Sequence, residues 1–244
     1  MRGSGRAAPK RAMMLAAGIG KRMRPLTATT PKPLIEVAGR ALIDHGLDRL
    51  EAAGVEEGGV NVHYLADLIE VHVGRRQRPR AIISDERKAL LDTGGGIRKV
   101  IDHFGDEPFY LMNSDSFWIE GVRPNLQLLA ETWDDARMDA LLLLSSTVPA
   151  VGYEGKGDFL LDPVGRLRRR PGSQVAPFVY AGAAILHPRL FAGAPEGAFS
   201  LNLLFDRAID AGRLFGARME GVWLHVGTPE AVREAETAIR NSAA

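Results

Sequence analysis

The chain has 244 residues, 45% apolar and 25% charged, which suits a globular protein with a sizeable buried core. Its 31 basic and 30 acidic side chains leave a net charge of +1, which excludes nucleic-acid binding through bulk charge. There is no cysteine, so disulfides, thiolate metal sites and cysteine nucleophiles are excluded; no apolar run approaches the ~20 residues of a membrane span, and the expected setting is the cytoplasm.

Residues 1–11, MRGSGRAAPKR, are basic and rich in small side chains, and they read as a disordered tail. Residues 12–244 read as one domain, with 12–120 and 121–244 as its two halves. The apolar run Ala12–Ala17 predicts a buried strand that ends in Gly18 and Gly20. Leu42, Ile43, Leu47 and Leu50 recur at helical spacing, and Gly54 follows as a stop signal. Val60–Tyr64 predicts a strand, Leu65–Val73 a helix, Ala81–Ser84 a short strand and Gly95–Phe104 a helix. Phe109–Met112 is a further apolar strand, closed by Asn113, Ser114 and Asp115. A helix is expected around Leu126–Trp133 and a strand at Ala140–Leu144.

Strands this apolar, alternating with helices, predict a mixed, mainly parallel α/β sheet with helices on both faces. Ligands of such sheets bind beyond the carboxyl ends of the strands. The glycine turn and Asn113–Asp115 both fall there. After about residue 150 the rhythm shortens. Gly157–Leu161, Arg166–Arg168, Val179–Leu186 and Val222–Val226 read as strands of a mixed or antiparallel second half. Pro229–Arg240 reads as a closing helix, with Thr228 as its cap and Pro229 at its first position.

The stretch 13–34, MMLAAGIGKRMRPLTATTPKPL, holds the densest chemistry. A strand ending in Gly18 and Gly20 exposes backbone N–H groups, and Lys21, Arg22 and Arg24 bring positive charge to them. Such a combination grips a polyphosphate. A P-loop is excluded because Arg22, not Ser or Thr, follows Lys21. A dinucleotide fingerprint is excluded because Met23 stands where a third glycine belongs. A glycine turn can also close a strand with no ligand at all. Lys32 sits between Pro31 and Pro33, which hold its backbone on a stiff extended segment. By itself it reads as a surface lysine, as Asp115 reads as a turn-forming aspartate and Thr93–Gly96 as an ordinary helix start.

Taken in series, these residues resemble a family. Leu15-Ala16-Ala17-Gly18, Gly20-x-Arg22-Met23, Pro25-Leu26-Thr27 and Pro31-Lys32-Pro33-Leu34 look like the signature of sugar-1-phosphate nucleotidylyltransferases. Thr93-Gly94-Gly95-Gly96, Asn113-Ser114-Asp115, Tyr180-Ala181-Gly182 and His225-Val226-Gly227-Thr228 follow in the family's order. Short bacterial members that serve cell-wall recycling share the Thr-Gly-Gly-Gly-Ile run found at 93–97.

The resemblance implies a Rossmann-like, glycosyltransferase-A-like fold and transfer of a nucleotidyl group to a sugar 1-phosphate. It implies that Leu15, Ala16, Ala17, Gly18, Gly20, Lys21, Gly94 and Gly95 bind the nucleotide. It makes Arg22 and Lys32 catalytic. Asn113, Gly157, Asp158 and Gly182 (with Phe159) would shape the sugar pocket. Asp115 and His225 would hold Mg²⁺. Imidazole stands at 225 where relatives usually carry aspartate. Mn²⁺ or another softer metal tolerates nitrogen better than Mg²⁺ does, so metal ligand, phosphate contact and lost turnover all remain open for His225. Partners are a nucleoside triphosphate and a sugar 1-phosphate, with neither nucleic acid nor membrane. Mannose, glucose or heptose 1-phosphate with GTP, dTTP or ATP remain open as substrates, and so does a nucleotide-sugar sensor without turnover. Oligomeric state is not legible.

Overall fold

The computed structural model describes residues 8–242. Strand β1 (Arg11–Leu15) lies between β4 (Glu57–Val62) and β6 (Phe109–Asn113), parallel to both. β5 (Arg80–Asp85) adds in parallel to β4. β11 (Phe178–Leu186) runs antiparallel to β6 and to β8 (Ala140–Ser146), and β12 (Leu214–Arg218) runs parallel to β8. β9 (Phe159–Leu161) and β10 (Leu167–Arg169) complete a nine-stranded mixed sheet. The predicted fold class is therefore observed.

Two small sheets stand outside it. β2 (Glu36–Val37) pairs with β3 (Arg40–Ala41), and β7 (Ser116–Glu120) pairs with β13 (Gly221–His225).

Period-two alternation along β1 builds a core on each face. Ala12 and Met14 join one cluster with helix α1 (Leu42–Ala52) and helix α2 (Ala66–Val73). Met13 joins the other, with Ile97 of α3 (Asp92–Arg98) and Leu204, Phe205 and Ala208 of α5 (Asn202–Asp210). Helix α4 (Asn125–Thr132) covers the first face through Leu126 and Leu129. Helix α6 (Pro229–Ser242) covers the β7–β13 sheet, and Thr228 caps it by accepting from Ala231 N at 3.3 Å.

The helix predicted over 95–104 stops at Arg98, and a separate 3-10 turn covers Ile101–Phe104. The three glycines of α3 are weak helix formers, but each stands where a neighbour presses close. A Cβ would lie 2.3 Å from the Phe199 ring at Gly94, 2.2 Å from Gly197 O at Gly95 and 2.7 Å from Glu86 Oε1 at Gly96. Sequence periodicity missed β7, α5 and β12. The tail predicted over 1–11 is shorter in the described part: Pro9 is buried and Arg11 opens β1, while residues 1–7 lie outside the described residues.

Candidate active site

Three parallel strands end in one row. Leu15 pairs with Asn61 of β4 on one side and with Asn113 of β6 on the other. A pocket of about 250 Å³ opens beyond this row, lined by Leu15, Ala17, Gly18, Lys32, Asn61, Asp92, Thr93, Asn113 and Asp115 among others. Its position is the one that parallel topology predicts for a ligand.

The glycine turn is tied down from below. Ala16 N donates to Asn61 Oδ1 at 2.7 Å, and Asn61 Nδ2 donates to Glu86 Oε1 at 2.8 Å. Glu86 Oε2 accepts from Leu91 N at 2.9 Å. Asn61 and Glu86 are both buried, so this satisfied polar chain fixes the spacing between the turn and the start of α3. Asn61 was not picked out from the sequence. Its signal was an amide inside the apolar run Val60-Asn61-Val62.

Gly20 has φ +67°, and a Cβ there would lie 3.0 Å from both Lys32 Cβ and Thr27 Cγ2. Its carbonyl accepts from Thr27 Oγ1 at 2.9 Å. The stem of Lys32 thus crosses the turn at a point only glycine suits. Lys21–Met23 form one 3-10 turn, anchored by buried Met23, which leaves Lys21 and Arg22 exposed above it.

Lys32 reaches Asp115 across the pocket, with Nζ 2.8 Å from Oδ2. The lysine side chain is 11% exposed and the aspartate 30%. Burial by itself would raise the Asp115 pKa. The charge and hydrogen bond of Lys32, with help from His225, outweigh burial and hold the carboxyl below its ordinary value.

His225 arrives by a pairing the sequence did not disclose. It stands opposite Ser116 in the β13–β7 ladder, and Val226 N donates to Asp115 O at 3.0 Å. Burial lowers its pKa more than Asp115 raises it, and Lys32 and Arg22 lower it further, so the imidazole is neutral near pH 7. A Cβ on Gly227 would lie 3.1 Å from His225 Nε2 and 3.7 Å from an Arg22 Nη, so both groups converge over that glycine. They share a wider cleft with Tyr153 and Thr228.

The other expected site residues divide. Asn113 lines the pocket. Gly182, at φ +80°, sits in a bulge of β11 against Asn113 and Ser116, where a Cβ would lie 2.2 Å from Ser116 Oγ. Asp158 Oδ2 accepts from Tyr180 N at 3.0 Å, and Gly157 N donates to the Tyr153 hydroxyl at 3.1 Å. Both brace the loop beside the site. The Gly94 and Gly95 amides donate to Phe199 O at 2.9 and 3.2 Å. Asp92 and Thr93 line the pocket, and Asp92 holds φ +59°, a strained angle for a side-chain-bearing residue.

The donor set suits a divalent cation only in part. Asp115 offers one carboxylate and His225 one neutral imidazole. Among the described residues no three His, Cys, Asp or Glu side chains group to hold a metal. One carboxylate completed by phosphate oxygens is a common arrangement for Mg²⁺, so the residues fit a cation carried mostly by its substrate.

Strand-end pocket, glycine turn and ion-paired lysine define a nucleotide-handling enzyme. Residues 11–153 match the nucleotidyl transferase family, and the chain belongs to that family. It is 48% identical over 95% of its length to an N-acetylmuramate alpha-1-phosphate uridylyltransferase of Caulobacter vibrioides, covering 98% of that protein. It is 33% identical over 93% of its length to the protein of the same name from Neisseria meningitidis serogroup B, covering 96% of it. The fold matches an inositol-1-phosphate CTP transferase from T. maritima with a TM-score of 0.73, 19% identity and coverage of 97% and 98%. A UDP-glucose pyrophosphorylase bound to UDP-glucose matches with a TM-score of 0.74, 17% identity and coverage of 96% and 99%. No helix among the described residues is long and apolar enough to cross a membrane.

Proposed function

We propose that the chain joins UTP to N-acetylmuramate 1-phosphate, giving UDP-N-acetylmuramate and pyrophosphate. The likeness to the Caulobacter and Neisseria proteins supports the base and the sugar. The observation that carries the chemistry is the Lys32–Asp115 pair, set at 2.8 Å beside the glycine turn.

A phosphate oxygen of the sugar attacks the α-phosphorus of the nucleotide. The bond to the β-phosphate breaks, and its electron pair leaves on pyrophosphate. Two anions must meet, so the residues' first task is to offset their repulsion. Leu15, Ala17 and Gly18 receive the base and ribose, with Ala16 held behind them by Asn61. Gly20, Lys21 and Arg22 face the β and γ phosphates, and Arg22 steadies the departing pyrophosphate. Lys32 turns from Asp115 to the α-phosphate or the sugar phosphate and acts there as a compact point charge. A divalent cation at Asp115, when bound, supplies further charge neutralisation between the phosphates. His225 shares its cleft with Arg22, and its nitrogen would let Mn²⁺ serve in place of Mg²⁺. Asn113, with Gly157, Asp158 and Gly182 behind it, shapes the sugar side.

Pyrophosphate release from paired nucleoside triphosphates and sugar 1-phosphates, with Mg²⁺ and then Mn²⁺, tests this reading. The expected outcome is release with UTP and N-acetylmuramate 1-phosphate above every other pair. Faster release with GTP and mannose 1-phosphate sinks the substrate assignment. Release from no pair leaves a sensor that binds without turnover.

A further inference from the structure

Two parts of the pocket lining hang on one buried carboxylate. Ala17 and Gly18 line the pocket from the glycine turn, and Leu90, Asp92 and Thr93 form a lip at the start of α3. Glu86 is 2% exposed and does not itself line the pocket. Its Oε1 accepts from Asn61 Nδ2 at 2.8 Å, and Asn61 Oδ1 accepts from Ala16 N at 2.7 Å. Its Oε2 accepts from Leu91 N at 2.9 Å, one residue ahead of Asp92. The lip is pinned by a second segment as well. Phe199 N donates to Leu91 O at 3.1 Å, and Leu201 N to Thr93 Oγ1 at 2.9 Å. These bonds flank Asp92, whose φ of +59° persists because its neighbours are fixed.

The chain of bonds has a set polarity. Both its ends, Ala16 N–H and Leu91 N–H, are donors. The four side-chain atoms between them must present an acceptor at each end and a donor–acceptor pair in the middle. One amide and one carboxylate meet that requirement. Two amides leave a donor facing a donor, and two carboxylates meet it only by taking up a proton. Burial makes either mismatch costly. The middle bond also accounts for Gly96. A Cβ there would lie 2.7 Å from Glu86 Oε1 and 2.8 Å from Asn61 Nδ2, so glycine clears the Asn61–Glu86 contact.

We propose that Glu86 is a positioning residue for the nucleotide end of the pocket, holding the 16–18 turn and the 91–93 lip at the separation that base and ribose require. This rests on the reading of the pocket as a nucleotide–sugar site. Lys32 and Asp115 bond to each other and take no bond from the chain, so disturbing it acts on the triphosphate and spares the sugar phosphate.

The test compares Glu86→Gln, Asn61→Asp and the exchange Asn61→Asp/Glu86→Gln by melting temperature, equilibrium binding of UTP and KM for each substrate. The exchange moves the carboxylate to position 61 and the amide to position 86, which restores all three bonds with the middle one reversed. Expected in Glu86→Gln are a Kd and KM for UTP raised about tenfold and an unchanged KM for N-acetylmuramate 1-phosphate. The exchange is expected to return UTP affinity to within about threefold of wild type, and it decides the matter even if Glu86→Gln does not fold. Wild-type UTP affinity in Glu86→Gln overturns the proposal, as does an equal rise in both KM values. So does an exchange that regains the melting temperature without the affinity, or one as impaired as Glu86→Gln. If the wild type binds another triphosphate instead, the base assignment fails, and the same comparison on that triphosphate still decides Glu86. A wild type that binds no triphosphate overturns both readings.

Discussion

Lys32 and Asp115 form an ion pair at 2.8 Å, and each comes from a different wall of the pocket. The pair has two functions at once. On the proposed reading it places a cation where phosphates must meet, and it neutralises a half-buried carboxylate. Lys32→Ala therefore removes catalysis and also strands Asp115. We expect turnover to fall by at least about a hundredfold and stability by about 1–3 kcal/mol. In Lys32→Ala/Asp115→Asn the stability loss is expected to shrink while activity stays lost. Denaturant titration and pyrophosphate release check both halves, and a single variant of normal activity removes Lys32 from the mechanism.

Arg22 gives the opposite pattern. It is exposed and makes no ion pair among the described residues, so its loss leaves the fold within about 0.5 kcal/mol of wild type. Arg22→Ala is expected to slow turnover about 10²- to 10³-fold, as for other donors aimed at developing charge. Equal loss of stability and activity contradicts this assignment.

On the proposed reading, the imidazole at 225 is expected to set an ion preference. Nitrogen donors suit Mn²⁺ better than Mg²⁺. His225→Asp is expected to shift the Mn²⁺-over-Mg²⁺ activity ratio toward Mg²⁺, with the melting temperature little changed. Metal titrations of both proteins measure it. An unchanged ratio excludes His225 from the metal's surroundings.

Acid sensitivity is expected at His45, away from the site. Its ring stacks on Phe117 at 4.0 Å, and Nε2 lies 3.1 Å from Val37 O. Burial lowers its pKa from the ordinary 6.5; Arg49 and Arg40 add to this, while the Val37 contact and Asp48 oppose it. The unfolded chain therefore takes up a proton at higher pH than the folded one. The stability this contributes is complete above 6.5 and is lost as pH falls through the lower folded value. His45→Gln is expected to flatten that part of the melting-temperature profile between pH 7 and 5.

Gly95→Ala separates propensity from packing. Alanine gains about 1 kcal/mol of helix propensity over glycine. Its Cβ, however, would lie 2.2 Å from Gly197 O, a backbone atom that cannot rotate aside. We expect a net loss above about 2 kcal/mol, or several degrees in melting temperature. A stabilised variant refutes the packing account of the α3 glycines.

The first half of the fold was legible because its strands are apolar throughout and its helices repeat cleanly. Lys32 and the glycine turn were legible because proline and glycine constrain the backbone locally. What the sequence hid was long-range. Ser116–Glu120 carried no assignment in the sequence, and it is pairing with β13 that makes it a strand. The three glycines of 94–96 gave no sign of the chain that presses on their Cβ side, at Phe199, Gly197 and Glu86. The role of Asn61 was hidden because an amide in a strand gives no sign of partners such as Ala16 and Glu86, just past the ends of two other strands.

The β7–β13 pairing also orders events during synthesis. β7 leaves the ribosome long before β13 and pairs with no other strand among those described. Until β13 emerges, the backbone of β7 has no strand partner, and such an open edge recruits other chains. Asp115 likewise waits for His225. The Lys32 wall of the pocket can therefore fold ahead of the His225 strand, and in the interval the nascent chain carries an unpaired strand edge.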